Sequence, residues 1–325
     1  MVKIDGVPTA ILLTAVGGPN SLDEVAPFLL DIRGGRPTSD ELVDEFRERY
    51  RRIGGRSPLL DISRAQATAL EARLNRDGGA YRCYVGMRNW RPYIRDVLPE
   101  AVADGVDRLV VLPLTPYYSR RSVGAYFAAV DAALSGIAAR PNVAYVESWN
   151  TEAALIEMFA AKVRDGLERL AKQGFPDPAV VFTAHSLPKR LMDEGDPYER
   201  ELSETMALVL RRLPPMRARM AWQSAGRTEE AWLGPPLEDV LDEISRAREQ
   251  AVFVVPFGFV SDHLEILYDV DIEARSFAEK RGLAFDRTES PNTDPGFIDA
   301  MAAAVRSAGR PSSRSRSGES PAPVL

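Results

Sequence analysis

Cysteine occurs once in the 325-residue sequence, at Cys83, and histidine twice, at His185 and His263. A single thiol excludes an internal disulfide and leaves no thiolate cluster for zinc or an iron–sulfur centre. Within "YRCYVGM" Cys83 reads as a small buried hydrophobe. A basic excess is missing too: the formal net charge is −6. That argues against a nucleic-acid partner, which a basic face would normally meet. There is no run of about 18 apolar residues, so no integral membrane helix is expected. Met1 to Pro8 has no apolar core of signal-peptide length, and the expected location is the cytoplasm. Neither GxGxxG nor GxxxxGK[ST] occurs, so the Gly-rich "GGPN" gives a nucleotide site little support.

What is present has the composition of a soluble globular protein, 45% hydrophobic and 27% charged, at a length suited to two domains. Short apolar runs recur between turn residues: "TAILLTAV" (9–16), "YRCYVGM" (81–87), "DRLVVLPL" (107–114), "VAYVES" (143–148), "AVVFTAH" (179–185), "ARMAWQS" (218–224), "AVFVVPFGF" (251–259) and "LAFDR" (283–287). Helical spacing lies between them. Leu42, Val43, Phe46, Tyr50 and Ile53 fall near one face of "SDELVDEFRERYRRI". The helix in "EAALIEMFAAKVRDGLERLAKQG" is closed by Gly174. Strands alternating with helices predict an α/β chain with parallel sheets covered on both faces. The eight strands divide into two sets of four, giving domains over 1–148 and 149–308, with the last helix able to pack back on the first. The Ser-, Arg- and Pro-rich residues 309–325 are expected to be disordered.

Ligands of open parallel sheets bind beyond the carboxyl ends of the strands. Those ends read "GGPNS", "GMRNW", "TPYYS", "AHS", "WQSAG" and "FGFVSDHLE", the aromatic and sparsely polar mixture of a ligand cleft. His185 sits at one such tip. His263 precedes a predicted helix that Ser261 or Asp262 could cap. Along that helix Glu265, Asp269 and Glu273 follow at i, i+4 and i+8. Like charges so spaced cost a helix a few tenths of a kcal/mol per pair, roughly. Arg275 lies off the row. The bland reading is a solvated acidic face. The sharper one is a path for divalent cations, with His185 facing Glu265, since carboxylates and a neutral imidazole suit such ions.

"TAHSLP", "DPYERELSET", "WQSAG…WLGP", "PFGFVSDHLEILYDVD" and "SPNTDPGFIDAM" together resemble the ferrochelatases, in family order from about residue 9 to 305. The resemblance implies two tandem Rossmann-like domains with parallel four-stranded sheets, the chelatase fold, around a porphyrin cleft. It implies insertion of ferrous iron into a porphyrin in heme biosynthesis. By the same resemblance His185 and Glu265 face the porphyrin centre as catalytic and metal-binding residues. Asp269 and Glu273 extend the metal path, and His263 is structural. Porphyrin contacts are expected from Arg33, Ser57, Arg88, Tyr117, Tyr126 and Trp222, with Trp90, Phe257 and Phe259 as further walls and Arg36 and Arg121 as further carboxylate partners. No cofactor is expected beyond Fe2+ as substrate, no iron–sulfur cluster, and a monomer that meets only the porphyrin and the iron.

Two branches of the family take different porphyrins. "RYRRIGGRSPL", "YYSRRSVGAYF" and "VESWN" resemble the branch that uses coproporphyrin III, with four carboxylates. Val16 in "TAVGGP" departs from it, because many of those enzymes carry a tyrosine there. Coproporphyrin III is expected first and protoporphyrin IX next. A chelatase for sirohydrochlorin, or a porphyrin carrier without turnover, are the other readings. The former commonly has two active-site histidines, and the latter needs no base beside an acidic row.

Overall fold

The computed structural model describes residues 8–308 except 77, 139 and 227. The tail expected to be disordered lies outside the described residues. All eight sequence-expected strands form, and they assemble into two four-stranded parallel sheets. The first half runs β1 (Thr9–Ala15), α1 (Val25–Ile32), α2 (Asp40–Arg52), α3 (Leu59–Asn75), β2 (Tyr81–Met87), α4 (Ile94–Ala103), β3 (Arg108–Pro113), α5 (Val123–Ser135) and β4 (Asn142–Tyr145). The second runs α6 (Ala153–Lys172), β5 (Ala179–His185), α7 (Lys189–Asp193), α8 (Tyr198–Leu210), β6 (Ala218–Gln223), α9 (Leu237–Arg246), β7 (Ala251–Val255), a π-helix (Glu265–Ala274), α10 (Arg275–Glu279), β8 (Ala284–Arg287) and α11 (Pro295–Ala308). Spatial orders are β2-β1-β3-β4 and β6-β5-β7-β8. In each half the first strand is central and pairs with the second and third.

Strand alternation explains the layering. On β1, Ile11, Leu13 and Ala15 enter one apolar cluster while Ala10 and Leu12 enter another. Sheets buried on both faces demand such continuous apolar runs. On β5 and β7 the odd-and-even split repeats: Phe182, Phe253 and Val255 join the same cluster as Ile11, and Val181, Val252 and Val254 face a separate one. The inner faces of both sheets therefore share one core. That core also takes in Phe159 and Val163 of α6 and Phe297 and Met301 of α11. Truncating one such large side chain should cost about 2–5 kcal/mol.

Local signals place the helices. Ser39 caps α2, its hydroxyl accepting from Leu42 N–H at 3.4 Å. Gly174 closes α6 in a left-handed conformation (φ +97°), and Phe175 N–H reaches back to Leu170 C=O at 2.9 Å, a helix stop that favours glycine. α11 returns onto α3 of the first half, where Arg73 pairs with Asp299 at 2.5 Å.

One segment differs from its sequence reading. The residues after His263 wind as a π-helix, and neither Ser261 nor Asp262 caps it. Ser261 Oγ accepts from Gln66 Nε2 at 3.0 Å, and the Asp262 carboxylate accepts from Ser290 Oγ (2.6 Å) and Asn292 Nδ2 (2.8 Å). Those two side chains anchor the approach to the helix to neighbouring segments instead. Apolar residues surround this helix on most sides, so hydrophobic spacing does not separate an i→i+5 ladder from an i→i+4 one. The wider turn makes residues four apart lag a full turn rather than overshoot it, and the acidic row persists. π-Helical turns are rare and concentrate at functional sites.

Candidate active site

The His185 strand tip and the π-helix of the second half come near Tyr50, Tyr126 and Arg121 of the first, so part of the sequence-expected set meets there. His185 is the last residue of β5, in register with Gln223 of β6. Its turn is fixed on three sides. Ser186 N–H donates to Gln223 C=O at 2.8 Å, Ser186 Oγ to Leu233 C=O at 2.8 Å, and the Tyr198 hydroxyl to His185 C=O at 3.2 Å. The imidazole Nδ1 lies 2.9 Å from Glu265 Oε2, and both side chains remain about a third exposed, at 33% and 31%. With Nδ1–H donating to the carboxylate, Nε2 keeps its lone pair toward the cleft.

Electrostatics divide the acidic groups. Burial disfavours the charged ring of His185, yet the charge and hydrogen bond of Glu265, helped by Asp269, outweigh it and hold the pKa above the ordinary imidazole value. Burial likewise works against the Glu265 carboxylate. The charge and hydrogen bond of His185, then His263 and Ser224, overcome it and keep Glu265 well below the usual carboxylate range. Asp269 goes the other way. Burial pushes it up to about 7, and the charges of Glu265 and Glu273 add to that while Ser224 and Arg49 oppose it. At neutral pH Glu265 is an anion and Asp269 is poised to take or lose a proton.

The row is not bare. Ser224, left-handed at φ +57°, donates its hydroxyl to Asp269 Oδ2 at 2.6 Å. Arg49 of α2 reaches Asp269 at 3.4 Å, Glu273 at 3.9 Å and Glu45 at 2.9 Å, and its guanidinium lies 5.0 Å from the Tyr268 ring centre. The basic residue that the helix itself lacks comes from the other half of the chain. Asp269 is 17% exposed and Glu273 45%, so the row runs from the cleft to the surface. Among the described residues no three His, Cys, Asp or Glu side chains converge on one metal-sized point. His185 and Glu265 form one station; Asp269 and Glu273 share Arg49.

The first half supplies the opposite wall. In "GGPN", Gly17 has φ +94° and would strike Trp90 if it carried a Cβ, while a Cβ on Gly18 would stand 2.6 Å from Ser57 Oγ. Two glycines thus let the β1 tip pass between Trp90 and Ser57. Ser57 is buried, its N–H donating to Pro19 C=O at 2.8 Å. The buried Tyr50 phenol lies beside it, pushed up by burial and by the charges of Glu265 and Asp269. Tyr126 is buried within electrostatic reach of Arg88 and Glu265, burial pushing its pKa to about 12. Arg121 acts on His185 in the opposite sense to Glu265. Arg88 Nη1 donates to Arg121 C=O at 3.4 Å, and Arg36 Nε to Arg33 C=O at 3.1 Å. Among the described residues none of Arg33, Arg36, Arg88 and Arg121 has a carboxylate partner, and Arg33 Nε is buried without any acceptor.

The expected aromatic walls divide. Tyr117 and Phe257 are fully buried in the shared core, with the Tyr117 hydroxyl donating to Phe257 C=O at 3.2 Å. Tyr117 therefore stands beneath the site, edge-on to Tyr198, rather than on the cleft surface. Trp222 is 3% exposed against Tyr198, and Trp90 donates its indole N–H to Glu24 at 2.7 Å. Phe259 stays partly exposed, tilted on the His263 ring at 5.0 Å. The His263 Nδ1–H is spent on Ser261 C=O at 3.0 Å.

Two surface cavities flank the π-helix rather than the His185–Glu265 pair. One of about 450 Å³ is lined by Lys162, Asp262, Arg287, Asn292 and Asp294, and one of about 420 Å³ by Arg52, Tyr268, Glu273, Phe277 and Lys280. Among the described residues, the pair is where an imidazole, an ionised carboxylate and strand tips come together. Sequence reading missed Arg49, Tyr50, Gln223 and Ser224. "WQSAG" carries the signal for the last two as a strand tip; nothing local points to Arg49.

A family model described as Ferrochelatase matches residues 8–308. The Ferrochelatase of Deinococcus radiodurans is 39% identical over 300 residues, covering 92% of this chain and 95% of its own. The Coproporphyrin III ferrochelatase of Anoxybacillus flavithermus is 36% identical over 300 residues, covering 91% of this chain and 94% of its own. Among solved structures, SirB from Bacillus subtilis with Fe3+ aligns at a TM-score of 0.60 with 12% identity, covering 93% of this chain and 95% of that one. At that identity the likeness is one of fold, and it is the chelatase fold.

Proposed function

Because the chain belongs to the ferrochelatase family, whose members insert a metal into a porphyrin for heme, we propose that its substrates are ferrous iron and a porphyrin with four carboxylates, coproporphyrin III. The observation that carries this reading is the pairing of His185 and Glu265 at 2.9 Å, near Arg88 and Arg121, which have no carboxylate of their own among the described residues. Metal insertion must remove two pyrrole protons, one for each N–H replaced. The free Nε2 of His185 accepts them one at a time, passing the first on before the second arrives, and the ionised Glu265 stabilises the imidazolium that forms each time. Asp269, near neutrality, is suited to pass a proton outward, whereas Glu265 is too acidic to hold one. In the other tautomer, with the proton on Nε2, the Nδ1 lone pair and the Glu265 carboxylate 2.9 Å from it are the two donors that would meet Fe2+ as it approaches along the acidic row. A closed site would hold the metal too tightly to give it up.

Unpaired guanidiniums are the feature that favours four carboxylates over two. A site built to pair buried or half-buried carboxylates discriminates against a ligand that lacks them. Each charge-assisted bond is worth about 1.5–3 kcal/mol, so one lost partner corresponds to at least about tenfold. Relatives named for coproporphyrin III stand at 35–36% identity and relatives named simply Ferrochelatase at 37–39%, and these names do not separate the two substrates. A second imidazole for a sirohydrochlorin-type site has little support, since His263 is tied to the backbone. Anaerobic insertion assays with both porphyrins test the proposal. The expected result is a kcat/KM at least about tenfold higher for coproporphyrin III, narrowed in Ser57→Ala with Tyr126→Phe. Equal rates, or a preference for protoporphyrin IX, would overturn it and make Val16 the better guide.

A further inference from the structure

Gln223 touches both members of the site and belongs to neither. It ends β6 in register with His185 and is 5% exposed. Its backbone carbonyl accepts from Ser186 N–H at 2.8 Å, which fixes the turn that carries the imidazole. Its side-chain Nε2 donates to the backbone carbonyl of Glu265 at 2.9 Å. Glu265 is the first residue of the π-helix, and no side chain caps that helix. The next residue of the same tip, Ser224, holds Asp269, about one turn further on. The Gln223 Oε1 is buried with no partner, so the amide is kept there at the cost of an unsatisfied acceptor. A residue serving only to fill space would not need that amide, since methionine has similar length and no such penalty.

We propose that Gln223 is a positioning residue for Glu265: one residue sets the spacing between imidazole and carboxylate, through its backbone on one side and its amide on the other. The i→i+5 ladder is a weak frame for a residue that must stay within hydrogen-bond range of a partner on another element, and the strand tip supplies the missing anchor. The inference rests on the reading of His185 and Glu265 as the metal-handling pair.

The test uses Gln223→Met, which keeps length and removes the donor, and Gln223→Asn, which keeps an amide but falls short of the carbonyl. Zn2+ alone serves as probe, by calorimetry on the full chain without porphyrin. Outer-shell partners of metal ligands typically account for about 10–100-fold in metal affinity or activity. Both variants should bind Zn2+ at least about tenfold more weakly, raise the KM for Fe2+ in the same proportion, and leave the KM for porphyrin within about twofold. In a Glu265→Gln background the further loss in turnover should shrink to under about twofold, because effects through one shared group do not add. Wild-type Zn2+ affinity in either folded variant overturns the inference, as does an undiminished loss in the Glu265→Gln background. If Glu265→Gln itself binds Zn2+ and turns over normally, the reading of the metal-handling pair fails instead.

Discussion

The two halves of the chain share a strand order and differ in what they put at its ends. In the first half the tips of β1, β2 and β3 carry glycines, arginines and hydroxyls: Gly17, Gly18, Arg88 and Arg121, with Ser57 and Tyr126 close by. In the second, the tips of β5, β6 and β7 lead to His185, Gln223, Ser224 and the acidic π-helix. Parallel sheets offer the same geometric opportunity at every carboxyl edge. Here one edge carries Arg88 and Arg121, which have no carboxylate partner among the described residues, beside the carboxylates of Glu24 and Asp31, and the other carries the acidic row beside His185. The ligand proposed above, with carboxylates at its rim and exchangeable protons at its centre, would be met from both sides. Arg49 of the first half reaches across to the acidic row, where it offsets the charge of Asp269 and Glu273.

The strongest way to break this division is His185→Ala. Insertion should fall by about 10²–10⁴-fold, while porphyrin binding, read from fluorescence quenching, stays within about twofold. Turnover near the parent rate would remove the second half's claim to the chemistry. The converse experiment is Arg88→Ala with Arg121→Ala. The KM for coproporphyrin III should rise about tenfold or more with kcat largely kept, and the loss for protoporphyrin IX should be smaller. A collapse of kcat with unchanged KM would instead place the arginines in the chemistry.

The smallest effect is on stability. The Asp269 carboxyl is raised from the ordinary carboxylate range to about 7 by burial. Between those values the folded chain holds a proton that the unfolded chain has released. The contribution of this group to stability therefore falls as pH rises through that window and is lowest above about pH 7. Asp269→Asn should raise Tm by about 2–4 °C at pH 8, and the gain should vanish toward about pH 4, while turnover declines less than in Glu265→Gln. No gain at pH 8 would mean that Arg49 and Ser224 already offset the buried charge.

The sheets were legible because each strand is a short apolar run between turn residues, and parallel strands buried on both faces leave no other pattern. Their tips named His185 directly, whereas Ser57, between α2 and α3, came from the resemblance. The approach of Glu265 to His185 needed the resemblance to known chelatases as well as the acidic spacing. Three things stayed hidden. The π-helix looks α-helical because its apolar residues surround it. Tyr117 and Phe257 look like cleft aromatics because depth below a strand tip leaves no mark on local sequence. Arg49 lies 220 residues from Asp269, and in "ERYRRI" it is one arginine among several, so nothing in the local pattern singles it out for the far carboxylates.

The return of α11 has a consequence for synthesis. Its apolar face fills the core between the sheets, and it leans on α3, so the first sheet is capped by a helix made after all eight strands. The first half emerges with one face of its sheet uncovered until α11 has been made, exposed to chaperones or to itself. Long-range closure of this kind slows folding. Chains stalled before residue 295 should stay open to protease within β1 and β3, and adding α11 should close both sheets in one cooperative step.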